Sequence, residues 1–274
     1  MDCYGVIGHP IKHSVSPAMH NAAFRAMGIN AVYASFDVKP EDLKKAIEGA
    51  KALGIKGLNV TIPHKEEVLK LVNPDELASK IGAANTLKFD KDISAYNTDA
   101  YGALKALESA GVGVSGKTVL IIGAGGAARA IAFALVDRGA TVAVTNRTED
   151  RGIKLAQDVR KYGDCIFIST TELEKLKFDI LINATPVGMS GYMPGKLPVD
   201  GQLIKEGVVV FDTVYNPMET ALIKLAKMRG CKVVYGIDML VYQGVKAFEI
   251  WTGLTPPFDV MKRAALNALE DTTR

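Results

Sequence analysis

The chain has 274 residues, 48% of them hydrophobic and 23% charged, with 33 Lys and Arg against 30 Asp and Glu and a net charge of +3. This is the composition of a folded globular protein long enough for two domains, and it excludes a disordered or collagen-like chain. The basic residues are dispersed, so no nucleic-acid surface is expected, although a small positive excess suits anionic ligands.

No uninterrupted apolar run reaches membrane-spanning length, the longest being cut by Arg129, so no membrane association is expected. The start, Met1-Asp2-Cys3 followed by Gly5, Gly8 and Pro10, lacks the pattern of a signal peptide, which predicts a cytoplasmic protein. Cys3, Cys165 and Cys231 are scattered, odd in number and without CxxC spacing, so reduced thiols are expected and neither a disulfide framework nor a zinc site. His9 and His13 stand four apart, but Pro10 between them argues against a helical metal pair, and no metal site is expected.

The first 110 residues alternate in the βα manner. Tyr4–Ile7 reads as a strand, Pro17–Met27 as a helix, Val32–Val38 as a strand and Pro40–Leu53 as a helix. Gly57–Ile62 is the next strand, followed by helical segments near 64–71 and 75–81. Thr86–Phe89 and Ile93–Ala95 read as a short hairpin around Asp90-Lys91-Asp92, and a helix runs from about Thr98 to Ala110. The glycine-rich stretch Gly111 to Gly116 is a plausible domain boundary. Beyond it, strands are expected at 118–122, 141–145, 164–168, 179–183, 208–212 and 232–235, with helices between most of them, giving a doubly wound, mostly parallel sheet. Two helices, about 238–252 and 257–270, have no strand to follow. They are expected to return to the N-terminal domain, dividing the chain into 1–110 plus about 238–274 and about 111–237.

The most specific local signal is Val119 to Ile122 breaking into Gly123-Ala124-Gly125-Gly126-Ala127-Ala128 before a helical stretch through Val136. This is G-x-G-x-x-A between a strand and a helix, the arrangement of a dinucleotide fingerprint. Gly123 permits the tight turn, Gly125 lets backbone approach a pyrophosphate and Ala128 allows close helix–strand packing. The helix N-terminus offers free N–H groups and the positive end of a dipole. At the next strand end, where NAD-binding units carry an acid, stand Asn146, Arg147 and Thr148. An arginine pairs with a 2′-phosphate that an acid would repel, so the sequence points to NADP. The alternative is that Arg147 is a solvated charge and Glu149 or Asp150 serves the ribose.

Further polar clusters fall at expected strand ends. In Ser14-Val15-Ser16-Pro17, Ser16 reads as an N-cap before Pro17, a role open beside ligand binding, while Ser14 is too early to cap. In Asn59-Val60-Thr61-Ile62-Pro63-His64-Lys65, Asn59 and Thr61 share one strand face, and Lys65 starts a helix, where a cation opposes the dipole. Such local conflict often marks function, although a plain surface lysine remains open. Asn85-Thr86 and Asn97-Thr98-Asp99 follow, with Asp99 also readable as a first-turn acid. Asn183 to Met189, Val214-Tyr215-Asn216-Pro217 and Gly236 through Gln243-Gly244 complete the set, the first of these open to reading as a plain turn.

Taken in order, these clusters, together with Gly82-Ala83-Ala84-Asn85-Thr86, Asn97 to Gly102 and Asp212 to Pro217, resemble the shikimate dehydrogenase family across nearly the whole chain. The resemblance implies an N-terminal α/β substrate domain and a Rossmann NADP-binding domain with an active-site cleft between them. It implies reversible NADPH-dependent reduction of 3-dehydroshikimate to shikimate, in aromatic amino acid biosynthesis, by a monomer or homodimer. Lys65 and Asp99 would be the catalytic pair. Ser14, Ser16 and Tyr215 would hold the substrate carboxylate, and Thr61, Asn85, Asp99 and Gln243 its ring hydroxyls. Gly123, Ala124, Gly125, Gly126 and Ala127 would carry the pyrophosphate, and Asn146, Arg147 and Thr148 the adenosine ribose phosphate. Thr185, Val214, Gly236 and Met239 would lie near the nicotinamide. The chemistry agrees: hydride reduction of a ketone builds charge on oxygen, which a lysine beside a carboxylate can stabilise and protonate. Three other readings compete: an NAD-preferring quinate/shikimate dehydrogenase, a non-catalytic NADP sensor, and a methylenetetrahydrofolate enzyme, in which the serine pair has no obvious use.

Overall fold

The structure, a computed structural model, describes residues 1–12 and 14–271, so the reading of His13 lies outside the described residues. The chain forms two compact units, Met1–Gly102 with the chain from Val241 onward, and Ala103–Leu240.

In the first unit a sheet is built around β1 (Asp2–Gly8), flanked by β2 (Ala31–Asp37) and β3 (Gly57–Val60), both parallel to it. Between them lie α1 (Ser16–Ala26), with Pro17 in its first turn, and α2 (Leu43–Ala52), which buries Leu43, Ile47 and Ala50 at helical spacing. The sheet continues through a two-residue strand β4 (Asn73–Pro74) and the antiparallel hairpin β5 (Thr86–Phe89) and β6 (Ile93–Tyr96), giving the order β2-β1-β3-β5-β6-β4. Helix α3 (Glu76–Ile81) is capped by Asp75, whose carboxylate accepts from the Ala78 N–H at 2.7 Å.

Two expectations fail in this unit. The strand expected to run to Ile62 stops at Val60, because the His64 N–H turns back onto the Thr61 carbonyl and Pro63 has no N–H to donate. The helix expected over 64–71 is a short 3-10 turn, Glu67–Leu71. Lys65 therefore precedes it and does not start a helix, and the dipole argument for its role falls away.

Helix α4 (Asp99–Ser109) leads out of the first unit. The second unit is a parallel sheet of β7 (Thr118–Ile122), β8 (Thr141–Thr145), β9 (Cys165–Phe167), β10 (Ile180–Asn183), β11 (Val209–Asp212) and β12 (Lys232–Tyr235). Its order is β12-β11-β10-β7-β8-β9, the doubly wound Rossmann order, with all neighbours parallel. Val119 to Ile122 and Ile180 to Ile182 are buried, as strands covered on both faces must be. Helices α5 (Gly126–Val136), α6 (Glu149–Arg160) and α7 (Ala221–Met228) join the strands. The chain returns to the first unit within α8 (Gly236–Thr252), and α9 (Phe258–Asp271) packs there against α1. The mixed α/β class, with a doubly wound second half, is the one the sequence predicts. Among the described residues no helix is long and apolar enough to cross a membrane.

Candidate active site

Lys65 and Asp99, 34 residues apart, meet in the first unit: Lys65 Nζ donates to Asp99 Oδ2 at 2.5 Å. Their side chains are 15% and 7% exposed, so the pair is largely withdrawn from solvent yet reachable at the lysine. The backbone on each side is anchored. The Lys65 carbonyl accepts from the Ala84 N–H, and the buried His64 ring hydrogen-bonds the Val38 carbonyl at 2.7 Å. Asp99 opens α4, but its own carboxylate is spared the capping role. Asn97 Oδ1 accepts from the Asp99 N–H at 3.1 Å and from the Ala100 N–H at 3.4 Å. A residue readable as a first-turn acid thus has both oxygens turned to side-chain donors.

Asn85 supplies the second donor. Its Nδ2 donates to Asp99 Oδ1 at 2.9 Å, with Thr98 Oγ1 at 2.9 Å and Gln243 Oε1 at 3.2 Å also in range. Its Oδ1 accepts from the Thr98 N–H at 2.7 Å, which fixes the direction of the amide. Gln243, 158 residues away on α8, is brought to this cluster by the C-terminal helices of the same unit. Lys65, Asp99, Asn85 and Gln243, all named from the sequence, therefore form one hydrogen-bonded group.

The serines behave differently from the sequence expectation. The cap position of α1 is Val15, no side chain caps the helix, and the Ser16 N–H donates to Ser14 Oγ at 3.3 Å. Ser16 is buried and Ser14 half-buried. Ser16, expected as the cap, lies inside the first turn, while Ser14 stands before the cap position, as expected. Thr61, half-buried past the end of β3, has its methyl where a Cβ on Gly8 would stand. Tyr215 is in the second unit, and burial pushes its hydroxyl above the ordinary value.

All the residues expected to hold dinucleotide are in the second unit. Gly123 has φ +118°, and a Cβ there would stand 2.9 Å from the Ala184 carbonyl oxygen and 3.0 Å from the Thr185 methyl. The loops after β7 and β10 thus abut where the sheet order reverses, the place where such sheets bind ligands. Gly125 precedes α5, and a Cβ on it would meet nothing within 4 Å. The start of α5 carries no side-chain cap and no acid in its first turn. Donors are therefore left for an anion beside Gly123, Ala124, Gly125, Gly126 and Ala127. Arg147 is exposed, in no ion pair recorded among the described residues, while Asn146 Nδ2 braces the Thr148 carbonyl at 2.8 Å. Of the two acids that rival Arg147 for the ribose, Glu149 and Asp150, Glu149 accepts instead from Ser169 Oγ at 2.7 Å. These features fit a phosphorylated dinucleotide.

The loops after β10 and β11 share a buried network that the sequence did not expose. Asn183 Oδ1 accepts from the Thr185 hydroxyl at 2.7 Å, and Asn183 Nδ2 donates to Asp212 Oδ1 at 2.9 Å. Asp212 also accepts from the Thr220 hydroxyl at 2.6 Å and the Val214 N–H at 3.0 Å. Burial pushes the Asp212 carboxyl above its ordinary value, and these donors act against that rise. The network sets Thr185 and Val214. Gly236 is packed so closely that a Cβ would clash with the Thr213 carbonyl, and Met239 is buried. Among the described residues no group of three or more His, Cys, Asp or Glu could hold a metal ion.

An α/β chain whose second unit has the Rossmann strand order and an open glycine turn is of the dinucleotide-binding class. Family models place it further. Residues 6–87 match the shikimate dehydrogenase substrate binding domain, 105–189 the shikimate / quinate 5-dehydrogenase model and 236–266 the shikimate 5′-dehydrogenase C-terminal domain. The protein of Archaeoglobus fulgidus named shikimate dehydrogenase (NADP(+)) is 54% identical over 267 residues, 97% of this chain and 98% of that one. A crystal structure of a shikimate dehydrogenase in complex with NADP+ superposes with a TM-score of 0.92 at 44% identity, covering 98% and 96% of the two chains. The Thermus thermophilus shikimate 5-dehydrogenase in complex with NADP(H) and shikimate gives a TM-score of 0.90 at 36% identity, covering 98% and 100%. The chain belongs to the shikimate dehydrogenase family, a family of oxidoreductases.

Proposed function

We propose that this chain catalyses the reversible NADPH-dependent reduction of 3-dehydroshikimate to shikimate. The observation that carries the reading is the Lys65–Asp99 pair at 2.5 Å, set among Asn85 and Gln243 in a chain of this family.

Lys65 stands at the carbonyl oxygen of the substrate, donates a hydrogen bond as charge grows there, and gives up a proton to complete the alcohol. In the oxidation direction the same nitrogen receives the hydroxyl proton. Asp99 holds the ammonium in place and accepts from a ring hydroxyl. Ser14, Ser16 and Tyr215 bind the substrate carboxylate, and Thr61, Asn85 and Gln243 the remaining ring hydroxyls. A polyhydroxylated acid is recognised by such short polar groups because an analogue lacking one hydroxyl leaves them unpaired.

The dinucleotide, when bound, supplies the hydride. The turn from Gly123 to Ala127 and the start of α5 hold its pyrophosphate, Asn146, Arg147 and Thr148 its phosphorylated ribose, and Thr185, Val214, Gly236 and Met239 flank its nicotinamide. On this reading residues 1–110 with about 238–274 are the substrate domain and about 111–237 the NADP domain. The enzyme is cytoplasmic, acts on small molecules as a monomer or homodimer, and binds no nucleic acid.

The test is reduction of NADP followed at 340 nm with shikimate, run beside NAD and beside quinate. High kcat/KM for shikimate with NADP supports the proposal. Preference for NAD and quinate would assign the chain to the quinate branch, and inactivity with every pair would leave a binding protein.

A further inference from the structure

The hydrogen bonds around Asp99 continue past every residue assigned so far. Tyr33, in the middle of β2 and 2% exposed, donates its hydroxyl proton to Asn59 Oδ1 at 2.7 Å, and its oxygen also meets the Ser16 side chain. Asn59 Nδ2 then donates to the Asn85 carbonyl and to Thr86 Oγ1, each at 3.1 Å. Thr86 Oγ1 donates to Asn85 Oδ1 at 3.0 Å, and Asn85 Nδ2 to Asp99 Oδ1 at 2.9 Å. Every donor in this series points toward the Asp99 carboxylate, whose other oxygen receives Lys65.

The amide directions follow from the partners. Both Asn59 Nδ2 protons have acceptors on the Asn85 and Thr86 side, so Asn59 Oδ1 must face Tyr33. The Thr86 hydroxyl, accepting from Asn59, has one proton, with Asn85 Oδ1 the nearer acceptor at 3.0 Å and Thr98 Oγ1 at 3.3 Å. The origin of the chain is itself rigid. The Tyr33 N–H and carbonyl are both paired with the Asn21 side chain at 2.8 Å, and its ring stacks on His20 at 4.4 Å with 7° between planes. Aligned donors in a buried chain polarise one another, so the last bond depends on the first.

We propose that Tyr33 is a positioning residue: its hydroxyl fixes the Asn59 amide, and through Thr86 and Asn85 it holds Asp99 against Lys65. This rests on the reading of Lys65 and Asp99 given above. A tyrosine that merely filled the core would stabilise the fold and nothing more. Positioning requires that removing one oxygen slow turnover by more than it weakens substrate binding.

The experiment compares Tyr33→Phe with Phe24→Leu, a change in the same aromatic cluster at a residue whose ring lies tilted against Tyr4 and Phe248 and outside the chain of donors. In Tyr33→Phe, kcat should fall on the order of ten-fold while KM for NADP stays within about two-fold, and any rise in KM for shikimate, through the lost Ser16 contact, should be smaller than the fall in kcat. Phe24→Leu should lower the thermal midpoint at least as much and leave kcat within about two-fold. The side-chain amide protons of Asn59 and Asn85, followed by NMR, should move and exchange faster in Tyr33→Phe only. Unchanged kcat, an equal kcat loss in Phe24→Leu, a loss carried by KM, or unmoved amide signals would each overturn the proposal. Should the wild-type protein lack activity with shikimate, the functional reading fails by itself, and the amide signals still decide whether Tyr33 governs this network.

Discussion

The two units present their polar groups in opposite ways. In the first, Lys65, Asp99, Asn85 and Gln243 are side chains hydrogen-bonded to one another. In the second, the groups expected to meet the phosphates of the dinucleotide are the open backbone around Gly125, the uncapped start of α5 and the exposed Arg147, while Thr185 and Val214, expected near the nicotinamide, are braced. The difference follows from the two tasks. Moving a proton to one atom needs a donor held to within a fraction of an ångström, and cross-bracing supplies that. Holding a phosphate needs N–H groups and charge directed outward, which a glycine turn and a helix end provide without a braced side chain.

The comparison would break most visibly at Lys65. Lys65→Ala should lower kcat by on the order of 10²–10⁴, with a much smaller change in KM, because the interaction strengthens mainly in the transition state. Asp99→Asn should also lower kcat, and the double variant should be little worse than Lys65→Ala alone if the two act as a unit. A folded Lys65→Ala enzyme with near-normal kcat would reject the role, and strictly additive losses would reject the pairing.

In the second unit the matching change is Arg147→Ala. Affinity for NADP should fall by about 1.5–3 kcal/mol, the range of a charge-assisted hydrogen bond, with little change for NAD. Equal losses for both would show that Arg147 does not read the 2′-phosphate, and the exposed, outward-facing character assigned to this unit would lose its main support.

The same contrast decides what was legible in the sequence. The strand–turn–helix of Val119 to Val136 is local, so its glycine spacing and apolar runs display both fold and site at once. The braces of the first unit are not local. Tyr33 and Asn59 lie on β2 and β3, each pairing with opposite edges of β1, with Tyr33 opposite Tyr4 and Asn59 opposite Val6. Only that register brings together a phenol and an amide 26 residues apart. The Asn183–Asp212–Thr220 network was hidden for the same reason. The expected helix at 64–71 failed because a proline turn cannot be told from a helix start when apolar residues recur at helical spacing just beyond it. Ser16 is not the cap because the helix starts one residue earlier than expected, which puts Val15 at the cap, and boundaries are the least legible part of a pattern.

Acid should separate the units as well. His20, under the Tyr33 ring, is fully buried with neither ring nitrogen partnered, and desolvation lowers its pKa from the ordinary 6.5 to about 3. Above pH 6.5 the ring is neutral folded or unfolded. As pH falls from 6.5 toward 3, the unfolded chain takes a proton that the folded one refuses, and stability is lost, about 2 kcal/mol by pH 5. Asp212 acts with the opposite sign: its raised pKa favours the folded state below the ordinary carboxylate value of 3.8 and that advantage is lost as pH rises. His20→Phe should therefore gain about 2 kcal/mol over wild type between pH 7 and pH 5 in urea unfolding. A difference independent of pH would show that the ring is not held neutral.

The smallest effect is expected at the thiols, which lie in both units and outside both kinds of polar group. Cys3 is half-buried in the first unit; Cys165 and Cys231 are buried in the second. Burial pushes Cys165 up to about 12, so at pH 8 only about one in 10⁴ is thiolate, the reactive form. Burial also raises Cys231, against the pull of Arg229, and its Sγ donates to the Lys205 carbonyl at 3.2 Å. Neither can serve as a nucleophile near neutral pH, and no thiol appears in the Lys65 or Gly123 surroundings. Replacing all three by Ala should leave kcat within a few-fold and remove any slow loss of activity under a thiol-blocking reagent. Stability should fall by about 1–2 kcal/mol through the space left at Cys165 and the lost bond at Cys231. An inactive triple variant that still gives cooperative unfolding would mean that a thiol takes part in the site after all, and the division between braced side chains and open backbone would have to admit a third kind of group.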